Sequence, residues 1–573
     1  MTWAQRRTLV ILFVIVAVVI LFWAVPRWSF VSGPAISSNS ELVLDLSGSI
    51  VEQQPPDISN FLLGSQPLVL HEIDDAIDQA RSDSRIRGLV VRIAPMNTGW
   101  AKLEEIHQHL LAFRSSGKPS LCYLGYDGEE NQEYYVATGC DQIWLVPTNT
   151  LDIRGMMAQA TFLRGALDKL HVVPNFLHIA EFKAATNEYT EKKFTPAHRE
   201  EVTSLLDDLY NQYIDEVASA RNVSRSRFAD LVQAGPFLAQ DALQNKLVDH
   251  LGYWDQIEDY FRRRTGSWNP TGFAQYRQSL SDGSGPRIAI IYASGEIVSG
   301  ASQYSSTGGQ LMGGDSVAAE IRRARRDSSI RAIVLRVDSP GGSSLASQVI
   351  RREVQLARRS KPVVVSMSDL AASGGYWISM SADKIVADPD TITASIGVLS
   401  GKMNIAGLYQ LLGVSTDYVA TSDNATLYSD QQSFSPVQQQ TVQRMLNDVY
   451  ANFTEGVASG RHLPISTVDQ IAKGRVWSGE HAKQLGLVDE LGDTDRAIEV
   501  AKRLAHIPAN ESIELVRLPR RQSFFDLLLA RAQGDVRASQ SVYDSPQSLL
   551  QRLSQMVRSE PVRAQMPFTL TVH

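Results

Sequence analysis

The chain repeats itself. Ser47-Gly48-Ser49-Ile50-Val51 returns 247 residues later as Ser294-Gly295-Glu296-Ile297-Val298. Arg87-Gly88-Leu89-Val90-Val91-Arg92 returns after 244 residues as Arg331-Ala332-Ile333-Val334-Leu335-Arg336. Tyr134-Tyr135 returns after 242 as Tyr376-Trp377, and Leu247-Val248-Asp249 after 240 as Leu487-Val488-Asp489. A separation that drifts this slowly means two copies of one folding unit, laid end to end with small gaps. Duplication also lets each copy lose residues that the other keeps, so comparing the halves shows where chemistry has been retained.

The repeat divides the 573 residues into a first copy at 41–278 and a second at 287–505, with a linker at 279–286 and a tail at 506–573. Residues 1–28 read as a membrane anchor and 29–40 as a linker. Leu9 to Val25 is a run of seventeen apolar residues, near the lower limit for crossing a bilayer core of about 30 Å. Arg6 and Arg7 precede it, and bulky Phe22, Trp23 and Trp28 stand where a cleavable leader would need small residues. The expectation is an uncleaved single-pass anchor with the rest of the chain on the outer side of the membrane. A net charge of −7 without a Lys/Arg block gives no support for nucleic-acid binding. Metal-ligand spacing is absent, so neither a metal nor another cofactor is expected. Cys122 and Cys140 lie in apolar runs and read as buried free thiols rather than a disulfide.

Within each copy short apolar runs alternate with helical periods. In the second, Val317, Ile321 and Ala324 share a helical face, Ala332 to Val337 reads as a buried strand, Ser344 to Arg358 as a helix and Pro362 to Val365 as the next strand. Such alternation predicts α/β architecture with mostly parallel sheets covered by helices. Val437 to Gly460 and its partner Val202 to Ala220 read as long amphipathic helices.

The second copy contains Ala371-Ala372-Ser373-Gly374-Gly375-Tyr376-Trp377 after a strand and before a helix. Small neighbours leave a serine hydroxyl accessible there, and the Gly374 amide can face a developing oxyanion. A second glycine turn, Asp338-Ser339-Pro340-Gly341-Gly342, follows the preceding strand, so the Gly341 or Gly342 amide can reach the same oxygen. The first copy has lost both turns: Ser373 aligns with Asn131, and Pro340-Gly341-Gly342 with Met96-Asn97-Thr98. It has instead Lys183, in Glu181-Phe182-Lys183-Ala184-Ala185-Thr186, where the second copy has Ala425. A serine needs a base, and a lysine can serve only when neutral, which requires desolvation. Phe182, Ala184 and Ala185 fit that need; Glu181 would oppose it if turned inward.

These motifs, with Ile378 and Ser379 completing the serine run, closely resemble the long tandem-repeat bacterial form of the signal peptide peptidase A family, from the anchor to about residue 505. The resemblance implies two Clp protease/crotonase-like repeats and a Ser–Lys dyad built across them, Ser373 as nucleophile and Lys183 as general base. It implies hydrolysis of peptides left in the membrane after signal-peptide cleavage, by a homotetramer on the outer face of a bacterial inner membrane. This chain has Phe182 and Ala184 where the family commonly has Tyr and Ser around the lysine, which removes a lysine-orienting hydroxyl that Thr186 could replace. Ser395, in Thr393-Ala394-Ser395-Ile396-Gly397, reads as a supporting residue. Competing readings are an acyl-CoA enzyme of the crotonase type and an inactive membrane scaffold. Lys192 and Lys193 read as an exposed turn, His178 and His481 as packing or surface residues, and Gly308 to Gly314 as a mobile loop at the cleft.

Overall fold

The computed structural model describes residues 36–54, 67–305, 309–520, 563–565 and 571–572. The expected anchor at 9–25 lies outside them; among the described residues no helix is long and apolar enough to cross a membrane.

Each repeat is built on a mainly parallel sheet. In the first, Ser40–Gly48, Ile86–Met96, Ser120–Leu124 and Gln142–Leu145 pair in parallel, edged by His250–Leu251 and Pro270–Gly272. In the second, Arg287–Ser294, Ile330–Ser339 and Val363–Ala372 form the matching centre. These strands are continuous apolar runs because helices cover both of their faces. The helices show the complementary pattern. Along Gly314–Arg326, Val317, Ala318, Ile321 and Ala324 are buried, while Arg322, Arg323 and Arg326 point outward or lie at the margin.

Duplication extends to individual bonds. The Tyr134 hydroxyl donates to the Leu247 carbonyl at 2.8 Å, and Tyr376 to Leu487 at 2.9 Å. Arg221 pairs with Asp249 at 2.9 Å, and Arg461 with Asp489 at 2.5 Å. The long helices Pro196–Ala220 and Pro436–Arg461 both start with proline behind a hydroxyl N-cap, Thr195 and Ser435. The cap accepts an orphan amide and proline gives up none, so both starts are fixed locally.

A further sheet joins the halves. Val398–Asn404 of the second repeat runs antiparallel to Val173–Ile179 of the first, from Val398 opposite Ile179 to Asn404 opposite Val173. The same sheet includes Gly341–Ser343 and, beside it, the tail strand Arg563–Gln565.

Two expectations are corrected. Cys122 and Cys140 are a disulfide with Cα atoms 5.9 Å apart, not free thiols. The run Gly309–Gly313, read as part of a mobile loop, is a strand paired in parallel with Glu296–Val298, and Gly314 opens the next helix. Its glycines hide the strand pattern; the backbone ladder to Glu296–Val298 and to Gln303–Ser305, not side-chain alternation, holds it. Gly308 lies outside the described residues.

Candidate active site

The cross-repeat ladder determines where the lysine lies. Because Ile179 faces Val398, the chain leaving the first strand comes to lie beside the chain entering the second. Ala180 turns with φ 82°, and the Phe182 amide donates to the Lys473 carbonyl at 3.1 Å. Lys183 Nζ then lies 2.8 Å from Ser373 Oγ. The amine also donates to the Ser395 carbonyl at 3.1 Å and to Ser395 Oγ at 2.9 Å. Ser395 Oγ in turn donates to the Gly474 carbonyl at 3.3 Å. Lys183, Ser373 and Ser395 are each 0% exposed.

Ser373 follows the strand Val363–Ala372 and precedes the helix Gly374–Ser379 at φ 55°, ψ −108°. A non-glycine residue at positive φ is strained and has to be held by its surroundings. Here the Ser373 amide donates to the Ala394 carbonyl at 2.7 Å, and its carbonyl accepts from Trp377 at 2.8 Å. Ala394 and Ser395 also have positive φ, 66° and 52°.

The two glycine turns meet. A β-carbon on Gly374 would lie 3.1 Å from the Gly341 Cα, and one on Gly375 2.8 Å from the Ser339 carbonyl oxygen. The Gly341 amide already donates to Ser339 Oγ at 3.1 Å. Gly342 has φ 145°, and a β-carbon there would come within 2.1 Å of the Ile297 carbonyl oxygen. Only glycine permits this crossing of the strand Glu296–Val298.

Burial holds the Lys183 pKa well below the ordinary lysine range, opposed by the charge of Glu201. Glu201 is itself 1% exposed, and burial pushes its carboxyl up to about 8. One of its oxygens accepts the Val476 amide at 2.7 Å; the other is buried without a hydrogen-bond partner. A largely protonated acid here weakens the electrostatic pull that would keep the lysine charged.

Glu181 does not take that place: it is exposed and 3.7 Å from Lys473. Ser395, rather than Thr186, supplies the second hydroxyl to the amine. Lys192 is exposed and paired with Asp168 at 2.9 Å. His178 is bonded to the Ala180 carbonyl and His481 to Asp208. Sequence reasoning missed Glu201, Gly397 and Gly474. A β-carbon on Gly397 would stand 3.0 Å from Lys183 Cδ, and one on Gly474 2.6 Å from the Lys183 amide nitrogen. The positive φ of Gly474, 80°, left no trace in the sequence beyond the glycine of Lys473-Gly474-Arg475.

The model of peptidase family S49 matches residues 112–265 and again 355–508, more than half of the chain and one match in each repeat. Protease 4 of Salmonella typhi is 36% identical over 503 residues, covering 82% of this chain and 80% of that protein. The chloroplastic serine protease SPPA of Arabidopsis thaliana is 31% identical over 497 residues, covering 85% and 72%. Among solved structures, a ClpP1 mutant from Listeria monocytogenes aligns with 36% of this chain and 94% of that chain, at 12% identity and a TM-score of 0.24. The chain belongs to peptidase family S49, with the family's domain duplicated, and is a serine protease.

Proposed function

We propose that this serine peptidase cleaves peptides with a dyad formed between its repeats: Ser373 is the nucleophile and Lys183 the general base. The 2.8 Å separation of Nζ and Oγ, in a site shut off from solvent, carries this reading. Neutral Lys183 takes the proton from Ser373 Oγ as the oxygen attacks the peptide carbonyl. The amides of Gly374 and Gly342 hold the resulting oxyanion; the Gly341 amide is engaged by Ser339. Lys183 then passes the proton to the leaving amine, and water, deprotonated by the same lysine, releases the acyl group. Ser395 orients the amine through its hydroxyl and carbonyl.

An extended peptide fits beside Gly341–Ser343 by strand addition, the position in which the tail strand Arg563–Gln565 runs, with Ala564 opposite Gly342. The substrates are remnant signal peptides and similar apolar peptides. The enzyme is anchored by residues 9–25 in the bacterial inner membrane as a homotetramer, with its catalytic region outside. The Cys122–Cys140 disulfide supports an oxidising compartment. The test is cleavage of a signal-peptide substrate by purified Ser373→Ala and Lys183→Ala variants, with covalent capture by a serine-directed phosphonate. Both variants are expected to be assembled and inactive, and Ser373→Ala unlabelled. Wild-type activity in either would overturn the assignment.

A further inference from the structure

We propose that the interface between the repeats binds a divalent cation, held by Asp74, Glu105 and His109 of the first repeat beside Asp493 of the second. One carboxylate oxygen each of Asp74 and Glu105 and one ring nitrogen of His109 lie within 4.8 Å of one another. The three residues are 6%, 2% and 6% exposed. Asp74 Oδ1 is cut off from solvent and has no hydrogen-bond partner. A buried carboxylate oxygen left this way is costly, and a cation at the centre of the group satisfies it.

His109 is set up as a ligand. Its Nδ1 lies 3.2 Å from Asp78 Oδ1, the orienting carboxylate that metal-bound histidines commonly carry. The other ring nitrogen, Nε2, lies 3.8 Å from Asp493 Oδ2. Cationic side chains answer Glu105 but not Asp74, and the Thr494 amide also donates to Glu105 Oε1 at 3.3 Å. Arg336, which reaches Glu105 at 2.7 Å, is shared with Glu52 at 3.0 Å. Arg517 is engaged by Asp75. Asp495 adds a further carboxylate near His109.

The fold does not require the cluster. The helices Leu70–Ser82 and Trp100–Arg114 correspond to Gly314–Arg326 and Ser344–Ala357 in the second repeat. There the equivalent positions are Ala318, Val349 and Glu353, with Glu353 paired to Arg322 at 2.8 Å. The acid–imidazole set occurs only in the copy whose helices face the start of Thr494–Leu504. One imidazole with carboxylates suits Zn²⁺ or Mn²⁺, at ligand distances of about 2.0–2.2 Å after a small closing of the side chains. Such an ion would pin both first-repeat helices to the second repeat.

The test uses the untagged full-length chain, stripped with EDTA and titrated with Zn²⁺ and separately with Mn²⁺, following bound metal, heat and the thermal midpoint. One equivalent of one ion is expected, with a midpoint that rises on binding and falls again with EDTA. His109→Gln and Asp74→Asn should each weaken binding ~10–100-fold, whereas Ser373→Ala should bind as the wild type does. No stoichiometric binding by the wild type, or unchanged affinity in both cluster variants, would overturn the proposal and leave protons as the neutralising charge. Should the cluster variants fail to fold, the reversible shift of the wild type decides alone.

Discussion

Lys183 packs so tightly on Gly474 that a β-carbon built on the glycine would stand 2.6 Å from the lysine's backbone nitrogen and 2.8 Å from its Cα. The obstructing atoms are backbone, so they cannot swing aside. Gly474→Ala should therefore shift the amine away from Ser373. A displacement of about 1 Å is enough to lower kcat/KM by ~10²-fold, against an overpacking cost of about 1–3 kcal/mol. Peptide turnover alongside thermal unfolding checks this; near-normal turnover would mean that the lysine is not held by this contact.

The lowered pKa of Lys183 gives a signed pH dependence. The competent form is the neutral amine, so kcat/KM should rise with pH and level off well below the ordinary lysine range. Lys183→Met should lose activity by about 10²–10⁴-fold and lose that rising limb. Stability carries a related signature. Between its folded and unfolded pKa values the unfolded chain binds the extra proton at Lys183, so stability rises with pH through that window. Glu201 acts oppositely: its contribution is present below its unfolded value and lost as pH rises through about 8. Above that point Lys183 adds a rise that it shares with Lys402, held at about 8, and with Lys118 and Lys361, all lowered by burial. Unfolding midpoints from pH 8 to about 10 should climb less in Lys183→Met than in the wild type, the difference being the share of Lys183.

A second cross-repeat lysine holds the turns together. Lys102 Nζ lies 2.6 Å from Asp338 Oδ2 and 2.5 Å from Asp369 Oδ2. Burial favours its neutral form, but Asp338, Asp369 and Glu52 outweigh that and keep it charged. Asp338 begins the turn to Gly341 and also accepts the Leu370 amide at 3.2 Å, three residues before Ser373. Lys102→Met leaves two carboxylates facing each other without their cation. It should cost about 3–5 kcal/mol and lower kcat as the turns move apart. Adding Asp338→Asn and Asp369→Asn should recover most of the stability; if Lys102→Met alone is neutral, the network is not what holds the turns together.

Ser373 and Lys183 were legible because duplication exposed them: each stands where the other copy has an unreactive residue, Asn131 or Ala425. The central strands were legible as continuous apolar runs. What holds the lysine was not. Glu201 sits on a helix eighteen residues beyond it, and Gly474 nearly three hundred residues away, and neither carries a local pattern. Gly474 comes beside Lys183 next to the ladder of Val173–Ile179 on Val398–Asn404, a pairing no periodicity encodes, and Glu201 comes from the helix Pro196–Ala220, accepting the Val476 amide. The Gly309–Gly313 strand escaped for a different reason: its partners, Glu296–Val298 and Gln303–Ser305, are near in sequence, but its glycines carry no strand pattern.

The cysteines were misread because their apolar surroundings suit a buried thiol and a buried disulfide equally. Cys122 lies in the strand Ser120–Leu124, and Cys140 follows the helix Asn131–Ala137 that packs beside it, which brings residues 18 apart in sequence into bonding range. Closing a loop of that length removes unfolded-state entropy worth about 3 kcal/mol. A thiol count in denaturant should therefore find no free thiol before reduction and two after it. Reduction, or the paired Cys122→Ser and Cys140→Ser change, should lower the thermal midpoint while leaving peptide cleavage intact at moderate temperature, because the bond lies within the first repeat's core and not against Lys183. Two free thiols in the protein as purified from an oxidising compartment would sink this assignment, and with it one support for an outward-facing enzyme.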